Sequence, residues 1–236
     1  MSSISVIMPC YAAGTFVQDA LRSIRRQGLC VSEIIVIDQD PESSPALAAC
    51  EGVRIVKTER TTPAIARNLG LDVASGDLVA FLDADDLWPA GKLARQVPRL
   101  LDGDLSMVAG HVLSFDQTSE NGLEPSGALG ESTFHVNLGT CIYRREALDR
   151  IGRFDPDLRY AEDVDMLLRV RESGIPFQIL RSTELYYRQH PASMMAEEDP
   201  RKHSDFRLAI GKSLSRRRAS NNSIPLKHFA AYFEPL

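Results

Sequence analysis

Residues 66–86 read ARNLGLDVASGDLVAFLDADD, and the fold turns on how that run divides. Its first part continues a helix opened by Thr62 and Pro63, because a threonine hydroxyl caps free backbone N–H groups and proline suits a first helical turn. Gly76 is expected to close that helix. Leu78 to Leu82 follow as an almost unbroken apolar strand, a pattern suited to burial on both faces of a sheet. Three carboxylates, Asp83, Asp85 and Asp86, then arrive within four positions. Unpaired charge resists leaving water, so these acids belong at the strand's exit, where a cation can hold them.

Working outward, residues 4–8 (ISVIM) and 33–38 (EIIVID) are short β-rich runs bounded by turn residues. Between them, TFVQDALRSIRRQG places Phe16, Ala20 and Ile24 on one helical face and stops at Gly28. ESSPALAAC (42–50) reads as a short helix and VRIVKTE (53–59) as a third strand. Four strands with helical crossovers predict an α/β fold with a mostly parallel central sheet flanked by helices, whose ligands gather at the strand exits. The second half is less regular. Residues 89–101 read as helix, SMVAGHVLSFD (106–116) as strand, and the polar run 117–133 as a surface excursion, either a lid or an insertion. GTCIYRREAL (139–148) returns as strand to helix, and AEDVDMLLRVRESG (161–174) is a helix whose inner face is expected to hold Val164, Leu167, Leu168 and Ser173.

The 236 residues are enough for a substantial core. Cys10, Cys30, Cys50 and Cys141 form no CxxC pair, which disfavours zinc and a disulfide framework and fits a reducing compartment. No stretch approaches the roughly 18 apolar residues of a membrane span, and the start lacks a leader pattern. The expectation is a cytoplasmic protein, with peripheral contact at the inner membrane face and a homodimer both compatible. A net charge of −5 gives no reason to expect a nucleic-acid backbone partner. Residues 201–236 carry +6, leaving −11 on residues 1–200. That acidic body suits a divalent cation, while the basic end suits a phosphate, an anionic membrane or simply solvent.

Asp83 and Asp85, two positions apart around the small Ala84, are able to direct their carboxylates to one side. Hard oxygen ligands suit Mg²⁺ or Mn²⁺, with substrate phosphates completing the shell. Asp86 doubles as a candidate cap for the helix that follows. The later pair Glu162 and Asp163 opens a helix, where acids are either dipole partners or a proton acceptor.

Taken in order, SVIMPCY (5–11), EIIVIDQD (33–40), ARNLGLDVASGDLVAFLDADD (66–86), GTCIYRREALDRIGRFD (139–155) and AEDVDMLLRVRESG (161–174) resemble the family-2 nucleotide-sugar glycosyltransferases of GT-A type. The resemblance implies a Rossmann-like sheet and one transferase domain over residues 1–200. Residues 1–100 would bind the donor, 101–200 would face the acceptor, and 201–236 would be a basic helical extension. It places a nucleotide-diphosphate sugar near Pro9 and Tyr11, with Asp38 and Gln39 at the base or ribose. Arg67 is expected near the diphosphate or fixing the acids, and Asn68 bracing a loop. Asp85 would contact Mn²⁺ or Mg²⁺, Asp83 the metal and the ribose or sugar side, with Ala84 leaving space. Asp163 would be the general base of an inverting transfer, and Glu162 would orient the acceptor.

YYRQHPASM (186–194) resembles a later family element, in which Arg188 would neutralise the diphosphate and His190 would meet metal or phosphate. Gly139, Thr140 and Trp88 are acceptor-side candidates, and the acceptor is a saccharide, a lipid-linked sugar or another hydroxyl compound. The family commonly has a second acid where Gln39 stands. Glutamine donates as well as accepts, so either the base is read differently, with Asp40 moving in, or it is not the usual uracil of a UDP donor. Two other classes compete. Nucleotidyl transfer is disfavoured because CYAAGTFVQ (10–18) is a poor phosphate loop. A non-catalytic sugar-nucleotide-binding protein is disfavoured by the intact Asp83, Asp85 and Asp163.

Overall fold

The computed structural model describes residues 2–12, 14–28, 31–40, 52–128, 130–219 and 226–235. The expected helix at 42–50 and the cysteines Cys30 and Cys50 lie outside the described residues, whereas Cys10 and Cys141 are buried in the core as thiols. The strands are β1 (Ile4–Cys10), β2 (Val31–Asp38), β3 (Val53–Lys57), β4 (Leu78–Phe81), β5 (Met107–Thr118), β6 (Pro125–Ala128), β7 (Ile142–Arg144) and β8 (Phe177–Arg188). The helices are α1 (Phe16–Arg25), α2 (Pro63–Val73), α3 (Lys92–Leu101), α4 (Arg145–Ile151), α5 (Glu162–Ser173) and α6 (Arg201–Ala219).

All the strands join one eight-stranded sheet in the order β3-β2-β1-β4-β7-β5-β6, with β8 paired to β5. β3, β2, β1 and β4 run parallel, β7 is antiparallel to β4 and to β5, and β8 returns parallel to β5. This is the Rossmann-like, helix-flanked α/β sheet expected, with a smaller mixed region on one side. β1 runs past its last β4 register pair, Ile7 with Phe81. Pro9 lies beyond that pair, where its missing N–H costs no ladder bond to β4.

Two core layers follow from strand alternation. Val6 and Met8 of β1 share a core layer with Ile24 of α1, Leu100 of α3 and Trp88, which precedes α3. Ile7 faces the other way, with Phe81, Tyr143, Phe154 and Met166. β4 is buried along its whole length, as its continuous apolar run requires. The Thr62 hydroxyl accepts from Ile65 N at 3.3 Å, capping α2 as its sequence predicts.

Several local expectations are corrected. α2 ends at Val73 with an extended Ala74, so Gly76 is not its stop. Gly76 is instead a close-approach residue: a Cβ there would lie 2.6 Å from Ser5 backbone N. α3 begins at Lys92 after a left-handed Gly91, three residues later than the read start, and Asp86 does not cap it. The polar run 117–133 contains β6, which pairs with the end of β5 as a hairpin.

The buried apolar residues of α5 are Met166, Leu167 and Val170, whereas Val164, Leu168 and Ser173 are only half-buried. The cause is α6, which packs on a second side of α5. Arg216 pairs with Asp165 at 3.0 Å and with Glu172 at 2.7 Å, burying two acids that a solvent-facing helix would expose. Lys212 pairs with Asp155, so part of the basic tail neutralises the acidic body. Among the described residues no helix is long and apolar enough to cross a membrane.

The approach at Gly76 gives a direct test of this packing. Gly76→Ala is expected to lose about 1–3 kcal/mol of stability as β1 and the β4 entry are forced apart, seen as a lower urea midpoint at unchanged slope.

Candidate active site

A cleft of about 710 Å³ opens where β1, β2 and β4 leave the sheet and where α5 begins. One end is walled by Pro9, Tyr11, Gln39 and Arg60. Its floor carries Arg67, Asp83, Ala84, Asp85 and His190, and the other end holds Glu162 and Asp163 under a rim of Tyr160, Met195 and Phe206. Ten of the residues singled out in the sequence therefore share one space.

At the centre lies Arg67, only 4% exposed and carried on the face of α2 that packs on the sheet. Its guanidinium donates to Asp83 Oδ1 at 2.7 Å and to Glu162 Oε1 at 2.6 Å. Those carboxylates come from the β4 exit and the first turn of α5, so a single side chain ties the two acidic groups together. Burial lowers the tendency of Arg67 to stay charged, but Asp83 and Glu162 more than compensate, and its pKa is raised. Asn68 braces the neighbouring loop: its side chain donates to Phe154 O and accepts from Phe154 N, both at 2.9 Å.

Asp85 Oδ2 sits 3.0 Å from His190 Nε2. Burial, followed by the charge of nearby Asp83, raises the Asp85 pKa. A carboxylate whose ionised form is opposed by burial and by a neighbouring acid is a natural seat for a cation. Among the described residues no cluster of three or more His, Cys, Asp or Glu forms a protein-only metal cage. A cation held by one or two carboxylates plus substrate phosphates needs no such cage, so the donor chemistry fits Mg²⁺ or Mn²⁺.

Asp86 has the structural task instead. It is 1% exposed, and its Oδ1 accepts from Arg188 N at 2.8 Å, fastening the acid turn to the end of β8.

Asp163 follows Glu162 in the first turn of α5, after a left-handed Ala161. Its Oδ1 accepts from Val164 N at 2.7 Å. On its far side is an apolar cavity of about 10 Å³, lined by Val136, Tyr143 and Leu167, with room for about one water molecule. Burial first, and then the charge of Glu162, push the Asp163 carboxyl up to about 7. Such a group is poised to take a proton at neutral pH.

Five sequence candidates do not line the cleft. Asp38 is 2% exposed and accepts from Asp40 N at 3.1 Å. Arg188 lies behind the acid turn, donating to Asp85 O at 2.8 Å, with its guanidinium over the rings of Phe16 and Phe115. Trp88 is fully buried, which removes the sugar-stacking face expected of it; its Nε1 donates to Gly139 O at 3.0 Å. Gly139 and Thr140 form the back of a cleft wall whose front is Asn137 and Leu138. That wall is pinned from the core. The wholly buried Lys92 donates to Thr140 O at 2.8 Å, and Gln96 Nε2 reaches the same oxygen at 2.8 Å.

Sequence reading missed Arg60, whose guanidinium lies 4.3 Å from the Tyr11 ring centroid, and also Asn137, Tyr160 and Phe206. For Arg60 there was a signal: a cation in the loop leaving a strand exit just before a helix cap.

A family model described as Glycosyl transferase family 2 matches residues 5–152. The chain is 33% identical over 193 residues to an uncharacterized glycosyltransferase of Haemophilus influenzae, covering 73% of this chain and 75% of that protein. It is 32% identical over 113 residues to the Escherichia coli UDP-Glc:alpha-D-GlcNAc-diphosphoundecaprenol beta-1,3-glucosyltransferase WfgD, covering 46% of this chain and 45% of that protein. It covers 62% of Bacillus subtilis EpsJ, an uncharacterized glycosyltransferase, at 25% identity and over 81% of its own length. The chain thus spans between two-fifths and two-thirds of the length of WfgD and EpsJ. A crystal structure of S. aureus TarS in complex with UDP-GlcNAc superposes with a TM-score of 0.71 at 17% identity, covering 89% of this chain and 66% of that one, a likeness of fold. By its motifs, its sheet and the span of the family match, the chain belongs to glycosyl transferase family 2.

Proposed function

We propose that this chain is an inverting glycosyltransferase, moving a hexose from a nucleoside-diphosphate sugar to an acceptor hydroxyl. The observation that carries the reading is the placing of Asp83, Asp85 and Asp163 on one cleft, with Arg67 bonded to Asp83 and to Glu162, the neighbour of Asp163. In this reading residues 1–100 are the donor half and 101–200 the acceptor half of one transferase domain, with 201–236 a basic extension. UDP-Glc is the donor in the name of WfgD, and UDP-GlcNAc is the compound in the TarS complex. Gln39 makes the base of this chain's donor a separate question.

Asp85 and Asp83, with His190 beside them, would hold Mg²⁺ or Mn²⁺. The bound ion supplies positive charge to the leaving diphosphate. Asp163 accepts the proton of the acceptor hydroxyl as its oxygen attacks the anomeric carbon from the side opposite the diphosphate, which inverts that centre. Glu162 is engaged by Arg67, which leaves the proton-accepting task to Asp163. Ala84 keeps the floor between the acids open. Met195 and Phe206, 56% and 50% exposed on the rim, give the acceptor end an apolar lip. Of the acceptors considered, a lipid-linked saccharide makes the fullest use of that lip.

Binding of nucleoside diphosphates measured by calorimetry with and without Mn²⁺ is expected to be metal-dependent and lost in Asp85→Asn; metal-independent binding would remove the assignment of Asp85. Asp163→Asn should keep donor affinity within about twofold while kcat falls roughly a hundredfold or more. The Asp163 carboxyl is protonated below about 7 and ionised above it, so activity should rise with pH through that value. A retained anomeric configuration in the product would contradict this role. Arg67→Met strands the buried Glu162 and unpairs the part-exposed Asp83, and should cost about 3 kcal/mol, read from urea unfolding.

A further inference from the structure

The end of the cleft at the exits of β1 and β2 is an assembly of three side chains, Tyr11, Gln39 and Arg60, and the backbone of Cys10 and Thr61. Gln39 N donates to Cys10 O at 2.9 Å, holding the exits of β1 and β2 side by side. Tyr11 follows Cys10 and is 46% exposed, with the Arg60 guanidinium stacked 4.3 Å from its ring centroid. The next residue, Thr61, donates its backbone N–H to Gln39 Oε1 at 2.8 Å. An exposed aromatic ring and a planar cation beside a polar amide form a platform for a flat heterocycle.

The Thr61 contact settles which way the Gln39 amide faces. A backbone N–H only donates, so the side-chain atom opposite it is the carbonyl oxygen. With Oε1 turned to Thr61, Nε2 is the polar atom Gln39 offers to the cleft it lines. Arg60 adds a guanidinium, which also only donates. The neighbouring acceptor, Asp38, does not line the cleft. Beside the Tyr11 ring the described side chains of Gln39 and Arg60 therefore present hydrogens, where an acidic side chain at position 39 would present lone pairs.

We infer that Gln39 reads the donor's base through an unprotonated ring nitrogen on its Watson–Crick edge, N3 of cytosine or N1 of adenine, and disfavours uracil, thymine and guanine, which carry a proton there. The inference rests on the proposed donor site and adds its base selectivity. A donor facing a donor loses one hydrogen bond and leaves both groups dry and unpaired. Sites built to bond one partner reject the analogue that lacks the complementary atom.

Gln39→Glu is close to isosteric. One carboxylate oxygen retains the Thr61 N–H while the other turns an acceptor to the cleft, so the preference should reverse. The experiment is calorimetry of the whole chain with CDP, ADP, UDP, dTDP and GDP in Mn²⁺, with circular dichroism to confirm that the variant folds. CDP or ADP should bind the native chain about tenfold more tightly than the other three, and Gln39→Glu should move the preference toward the bases bearing N–H. Tightest binding of UDP, dTDP or GDP to the native chain would overturn the inference while leaving the donor site in place, and requires no variant. An unchanged ranking in folded Gln39→Glu would overturn it equally. Failure of all five diphosphates to bind would overturn the donor site itself, and this inference with it.

Discussion

The Arg67 guanidinium stands between two carboxylates that the chain supplies 16 and 95 residues later. Both bonds are short and the cation is sealed from water, so its charge must be balanced in place. The β4 exit and the first turn of α5 are consequently held at a set separation by one rigid fork. The character of Asp163 follows from the same arrangement. Arg67 favours its ionised form, Glu162 opposes it, and burial opposes it most. A guanidinium bonded directly to Asp163 would make a permanent anion of it, and a poor base. Because the fork is bonded to Glu162 instead, Asp163 keeps a proton affinity useful near neutral pH.

The parts of the fold legible in sequence are those set by local chemistry. Thr62 and Pro63 mark a helix start whatever surrounds them, and the uninterrupted apolar run of β4 has few homes except the middle of a sheet. The acids after Leu82 were legible as a site for a related reason, since no strand interior tolerates them unpaired. Other features depend on distant neighbours. Gly76 looked like a helix stop, but its need is for the space occupied by Ser5, 71 positions earlier. The inner face of α5 could not be read from period alone, because Asp165 and Glu172 are buried only through Arg216.

The site residues divide along the same line. Asp83, Asp85 and Asp163 are exposed to the cleft by strand-exit and helix-start geometry that the chain spells out locally. Trp88 and Arg188 carry side chains equally suited to ligand contact, and only packing distinguishes them. Trp88 is claimed by a carbonyl 51 positions away, and Arg188 by the backbone of the acid turn. Arg60 passed unnoticed because its neighbour Tyr11 lies across the sheet's edge rather than nearby in sequence.

The wall formed by residues 137–140 is backed on one side by Lys92 and Gln96. Next to it, Phe134 packs edge-on to Phe233 at 5.5 Å, and Tyr232 stacks on Phe177 at 4.0 Å, so the chain's last turn buttresses this region from outside. None of these supports touches Arg67 or the β4 acids. Under the proposed function, in which this wall faces the acceptor, descendants of such a sequence are free to remodel what they glycosylate by drift in the supports, keeping the sugar-nucleotide machinery as common inheritance. A protein engineer seeking altered acceptor scope would graft or randomise those backing positions first.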